Sequence, residues 1–197
     1  MTLTLTILGC GSSGGVPRPV AGWGACDPNE PKNRRTRCSI LVETYVSESI
    51  KTIVLIDTGP DLREQLLAAQ TNQIDAVLYT HAHADHTHGI DDVRPLVLKM
   101  KAMIPAYMDQ ATSLDVRDKF SYIFETPTGS SYPPLLVEQR LEHGQPVNIK
   151  GAGGELSFTP IILHHGEVDA LGFRFGNILY SPDVKAIPAD SQIGRAH

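Results

Sequence analysis

Apolar and polar side chains alternate at the start of the chain, with Leu3, Leu5 and Ile7 separated by Thr4 and Thr6. That two-residue period, running to Leu8, is the pattern of a half-buried strand. Ser39 to Glu43 and Thr52 to Ile56 are dense in β-branched and aliphatic residues and predict two more strands. Pro60 and Asp61 then open a helix that carries Leu62, Leu66, Leu67 and Ala69 on its apolar side. Asp75 to Tyr79 predicts a short buried strand. A helix is expected from about Asp91 to Met100, with Pro95 bending it or marking its start.

Ile104 to Met108 reads as a strand, Ala111 to Phe124 as a helix, and Thr126 to Pro134 as a surface loop. Leu156 to Leu163, Leu171 to Phe175 and Asn177 to Tyr180 have strand character, with Gly176-Asn177 as a hairpin turn. Neither a repeat nor a linker interrupts this order, so residues 1–197 are expected to form one domain, a layered α/β protein with mixed sheets.

Composition narrows the function classes. Of the 197 residues, 41% are apolar and 20% charged, the balance of a globular chain. No apolar run approaches the roughly 20 residues needed to cross a bilayer. The N-terminus lacks the basic start of a secretory signal, so a cytoplasmic location and no membrane partner are expected. The net charge of −5 offers no global attraction for nucleic acid, which is not favoured as a partner. Cys10, Cys26 and Cys38 are too few and too widely spaced for a disulfide framework.

The candidate chemistry lies at His81-Ala82-His83-Ala84-Asp85-His86, which holds three of the eight histidines. At a strand end, residues two apart point to the same side, so His81 and His83 can reach one metal. The chain must then turn, which brings Asp85 and His86 towards a second. Imidazole and carboxylate donors suit zinc first, with manganese or iron as alternatives.

This run, with Gly89 after it, resembles the signature of the metallo-β-lactamase superfamily of hydrolases. Leu55-Ile56-Asp57-Thr58-Gly59, Leu163-His164-His165-Gly166 and Tyr180-Ser181-Pro182-Asp183 resemble further family segments in order. The resemblance implies an αβ/βα sandwich. It assigns His81, His83 and His165 to one metal, Asp85 and His86 to the second, and Asp183 to both. His164 is left as a packing residue and Asp57 as a group that orients a ligand. Asp85 and Asp183 are the candidate catalytic carboxylates. A metal pair about 3.5–4 Å apart can lower the pKa of a shared water and supply a hydroxide nucleophile.

Gly9-Cys10-Gly11-Ser12-Ser13-Gly14 matches a dinucleotide-binding fingerprint. Val16-Pro17-Arg18-Pro19 follows it, however, and cannot open the helix such a site requires. The same loop, with Arg34-Arg35-Thr36-Arg37-Cys38-Ser39, is similar instead to the phosphodiesterase branch of the superfamily, which includes the cyclic phosphate phosphodiesterase of phosphonate breakdown. The expected substrate is a small phosphodiester, cyclic or linear, with Arg34, Arg35 and Arg37 as candidate phosphate contacts. Thioester or lactam hydrolysis on the same metals, and a metal-binding fragment without turnover, are the alternatives. The family pattern places one more histidine ligand well beyond the bridging aspartate, whereas this chain runs fourteen residues past Asp183, to His197. The expectation is therefore a fold lacking its last elements and a second metal site one ligand short.

Overall fold

The computed structural model describes residues 2–191. Two sheets face each other. The larger takes its strands in chain order: β1 (Thr2–Gly9), β2 (Ser39–Ser47), β3 (Ile50–Ile56), β4 (Ala76–Leu78), β5 (Ile104–Met108) and β6 (Leu136–Arg140). The β1–β2 and β2–β3 pairings are antiparallel, and those from β3 to β6 are parallel. Parallel neighbours need crossovers. These are supplied by α1 (Leu62–Ala68), by α2 (Ala84–Thr87) with α3 (Arg94–Met100), and by α4 (Gln110–Phe124). The smaller sheet is an antiparallel meander of β7 (Val147–Gly151), β8 (Gly154–His165), β9 (Val168–Phe175) and β10 (Ile178–Tyr180).

The two-residue period of a strand decides which core each side chain enters. Leu41, Ile53, Leu55 and Val77 point to the helices and pack with Leu62, Leu66 and Val116. Their neighbours Ile40, Val42, Val54, Ile56, Ala76 and Leu78 point the other way, onto Leu156, Phe158, Leu171, Phe173 and Phe175 of the second sheet. A sheet buried on both faces requires continuous apolar strands, which is why Ile53-Val54-Leu55-Ile56 shows no alternation. The architecture is the α/β sandwich expected.

Several local expectations are corrected. Leu67 stays 59% exposed, so the buried face of α1 is Leu62, Gln65 and Leu66. The expected helix from Asp91 is a 3-10 turn at Ile90–Val93 followed by α3, with Pro95 in its first turn, where the missing N–H costs nothing. Strands β6 and β7 carry no clear sequence pattern, since each buries only one side chain. The Gly176-Asn177 hairpin is present, with Phe175 paired to Ile178. His197 lies outside the described residues.

Candidate metal centre

The C-terminal end of β4 is where the site begins. Thr80 follows the strand, and its carbonyl accepts from Leu171 N–H at 2.7 Å, tying the large sheet to β9. That tie brings the end of β8, with His165, over the loop that carries His81 and His83. His83 caps the single turn α2, which holds Asp85 and His86. Thr87 Oγ1 donates back to His83 O at 2.9 Å. Asp183 arrives from the segment after β10.

These side chains converge. One donor group contains His81, His83, His165 and Asp183, and another contains Asp85, His86 and Asp183. In each group the ligand atoms lie within 4.8 Å of one another. His81 Nε2 is 3.0 Å from His83 Nδ1. Asp183 Oδ2 is 3.3 Å from His86 Nε2, 3.4 Å from His165 Nε2 and 3.9 Å from His81 Nε2. Among the described residues, Asp183 is therefore the one member common to both groups. His86 Nε2 also stands 3.4 Å from Asp85 Oδ2.

Asp57 is the support beneath. It is fully buried, accepts Thr80 N–H at 2.9 Å and the Thr80 hydroxyl at 2.8 Å, and lies 2.7 Å from His86 Nδ1. Because the Thr80 proton is used on Asp57, the contact of 3.0 Å between Thr80 Oγ1 and His81 Nδ1 has the ring nitrogen donating. Both His81 and His86 thus hold a proton on Nδ1 and present Nε2 to the cluster, the arrangement that orients imidazole ligands. The backbone of Asp57 is left-handed, φ 64. Aspartate tolerates that region better than most residues.

Burial, reinforced by the charges of His86 and His83, pushes the His81 pKa down to about 3. Its ring is neutral and free to donate a lone pair. Burial works against a charge on His86 as well, but Asp57, Asp183 and Asp85 outweigh it and push its pKa up to about 12. The hydrogen bond to His86 is the main reason that the Asp85 pKa falls to about 2 and that Asp183 is also lowered. Imidazoles in both groups, with the Asp183 carboxylate common to the two and Asp85 in the second, are a donor set that fits zinc, manganese or iron.

The other expected residues lie elsewhere. His164 is not a packing residue: it is exposed and pairs with Asp169 at 2.7 Å, on the side of β8 away from His165. The arginines do not join the donor set. Arg37 is held by Asp61, through its backbone N–H at 2.9 Å and its Nε at 3.0 Å. Arg34 lies over the Trp23 ring, and Arg35 is exposed. Thr80 was missed, although its place directly before the histidine run is the signal that would have found it.

Comparison with known proteins agrees with this geometry. A family model described as a beta-lactamase superfamily domain matches residues 52–197. The chain is 35% identical to a diphosphatase from the PhnP family, covering 96% of this chain and 69% of that one with a TM-score of 0.76. It shares its fold with zinc-bound PqqB from Methylobacterium extorquens, at 19% identity and a TM-score of 0.58, over 89% of this chain and 62% of that one. It is also 32% identical over 186 residues to a curated protein of Porphyromonas gingivalis named octanoyltransferase. That match takes in 93% of this chain but only 35% of the relative's length.

Proposed function

We propose that this chain, which belongs to the beta-lactamase superfamily, is a metal-dependent hydrolase that acts on a small phosphodiester, cyclic or linear. The observation that carries the reading is Asp183 Oδ2 facing His81, His86 and His165 at 3.3–3.9 Å. One carboxylate placed between two donor groups is what a pair of divalent metals requires. His81, His83, His165 and Asp183 would hold one ion, and Asp85, His86 and Asp183 the other, zinc being the first choice. Bound there, the ions would make water nucleophilic near neutral pH and neutralise charge on a phosphoryl oxygen.

The chain's own groups do the positioning. Asp57 fixes His86 directly and His81 through Thr80, so that both Nε2 atoms point outward from a rigid floor. His83 and Asp183 are at the open side, where substrate would enter. The likeness to the PhnP-family diphosphatase over almost the whole chain supports a phosphate ester or anhydride as substrate. Arg34 and Arg35 remain candidates to contact its charge, while Arg37 serves to anchor Asp61.

Hydrolysis of an acyl ester or thioester on the same metals is the second reading, favoured by the name of the Porphyromonas relative. The zinc-loaded chain assayed on bis(p-nitrophenyl) phosphate, a nucleoside diphosphate, an octanoyl thioester and a cephalosporin separates the two. Turnover of the phosphodiester above the others is expected. Preference for the thioester would replace the first reading with the second.

A further inference from the structure

Beside the metal centre, Cys10 and Cys38 occupy neighbouring positions on two paired segments. Gly9 pairs with Ser39 at the end of the antiparallel β1–β2 ladder, and Gly11 forms an isolated parallel bridge with Arg37 just beyond it. Those two pairings bracket the cysteines on both sides. A disulfide spans about 4.4–6.8 Å between Cα atoms, and the two pairings hold the segments together on either side of the cysteines. The Cys38 thiol donates to Gly11 O at 3.2 Å, the carbonyl of the residue after Cys10. Both residues line one cavity of about 300 Å³, together with Ile7, Leu179, Tyr180 and Pro182. Cys10 is exposed, Cys38 is half-buried, and neither is bonded.

The pair is wired to the site. Ser39, next in the chain after Cys38, is fully buried. Its hydroxyl reaches Ile56 O at 2.9 Å and Asp57 O at 3.1 Å. Asp57 in turn holds His86 Nδ1 at 2.7 Å. Two residues, Ser39 and Asp57, and two hydrogen bonds thus connect Cys38 to a member of the donor set.

We propose that Cys10 and Cys38 form a reversible disulfide whose closure perturbs the Asp57–His86 contact. With a hydroperoxide as oxidant, the exposed Cys10 sulfur attacks the O–O bond, giving a sulfenic acid and releasing water from hydrogen peroxide. The Cys38 sulfur then displaces the sulfenic hydroxyl, which leaves as a second water with the Cys38 thiol proton. Two thiols and one peroxide become one disulfide and two waters. Closing the bond removes Cys38 Sγ from Gly11 O and draws the start of β2 towards the glycine loop. Dithiol exchange reverses it. The effect on metal affinity rests on the metal-binding reading above, but the bond itself does not.

Intact mass and peptide mapping of the chain, reduced and then treated with hydrogen peroxide, test the bond. The expected product has lost two hydrogens, links the Cys10 and Cys38 peptides, retains a free Cys26 thiol, and returns to three thiols in dithiothreitol. A Cys26→Ser variant should give the same link, and it keeps the test open if Cys10→Ser or Cys38→Ser fails to fold. Three thiols left free, a link through Cys26, or over-oxidised Cys10 beside a free Cys38 would overturn the proposal. Zinc titration of both forms tests the coupling separately. Oxidation should weaken the weaker equivalent by about tenfold or more, and superimposable isotherms would refute the coupling even where the bond forms.

Discussion

His86 Nδ1 lies 2.7 Å from Asp57 Oδ2, with the two side chains 1% and 0% exposed. No water competes for that contact, so the carboxylate sets the direction in which His86 Nε2 points. Changing Asp57→Asn keeps the size and the tolerance for a left-handed backbone but replaces an acceptor oxygen by a donor group. Affinity for the ion held by Asp85, His86 and Asp183 should fall about 10–100-fold, with loss of hydrolysis. Calorimetric zinc titration reads this directly, and an unchanged second binding step would show that Asp57 does not orient the ligand.

His83 is exposed and Asp183 only half-buried, so replacing either by alanine should leave the fold standing while removing donors. Both His83→Ala and Asp183→Ala are expected to lose nearly all diesterase activity. Of the two, Asp183→Ala should weaken both metal steps, because among the described residues Asp183 alone belongs to both donor groups. Wild-type kcat in either variant would place the chemistry elsewhere.

The metal-free chain should be most stable near neutral pH. His81, lowered to about 3, is protonated in the unfolded chain below about 6.5 but not in the folded one. Stability therefore falls as pH drops from about 6.5 to 3. Asp85, lowered to about 2, adds to this loss below about 4. His86, raised to about 12, acts in the opposite sense: its contribution is full below about 6.5 and declines as pH rises towards 12. Thermal melts of chelator-treated protein from pH 3 to 10 should show a maximum between the two limbs. Because an ion must displace the His86 proton, affinity at that group should rise about tenfold per pH unit across neutrality. A pH-independent affinity would contradict a protonated His86.

Gly89 follows the histidine run, and its backbone closes the site from behind. Its N–H donates to Thr58 O at 2.7 Å, while Thr58 N–H donates to His86 O at 2.8 Å. A Cβ on Gly89 would stand 2.1 Å from Gly59 O, a backbone atom with no side-chain freedom to yield. Gly89→Ala should destabilise the chain by about 1–3 kcal/mol or more and weaken metal binding. Chemical denaturation with and without zinc measures both, and a melt equal to wild type would mean the loop has room to shift.

Much of the donor set was legible because it is local: His81, His83, Asp85 and His86 sit on one loop, and spacing alone puts their side chains together. Strands β1 to β5 were legible for a related reason, since apolar period and β-branched content act over a few neighbouring residues. Strands β6 and β7 bury one side chain each, too little pattern to read in isolation.

What the chain by itself determined was therefore the short-range part: strands β1 to β5 and β8 to β10, the histidine loop, and the residue types able to bind a metal. Only the tertiary structure decided the rest. Whether His164 or His165 faces the cluster depends on the register of β8 against β9; strand alternation and the family resemblance together favour the second, and the fold places His165 there. Arg37 was equally available to a phosphate or to a carboxylate until folding set Asp61, twenty-four residues later, against its guanidinium. Asp183 and His81 are about a hundred residues apart in the chain, and their 3.9 Å approach follows from the packing of one sheet on the other. Interactions between distant segments become specific only once loop closure and burial have fixed the chain, which no local pattern encodes.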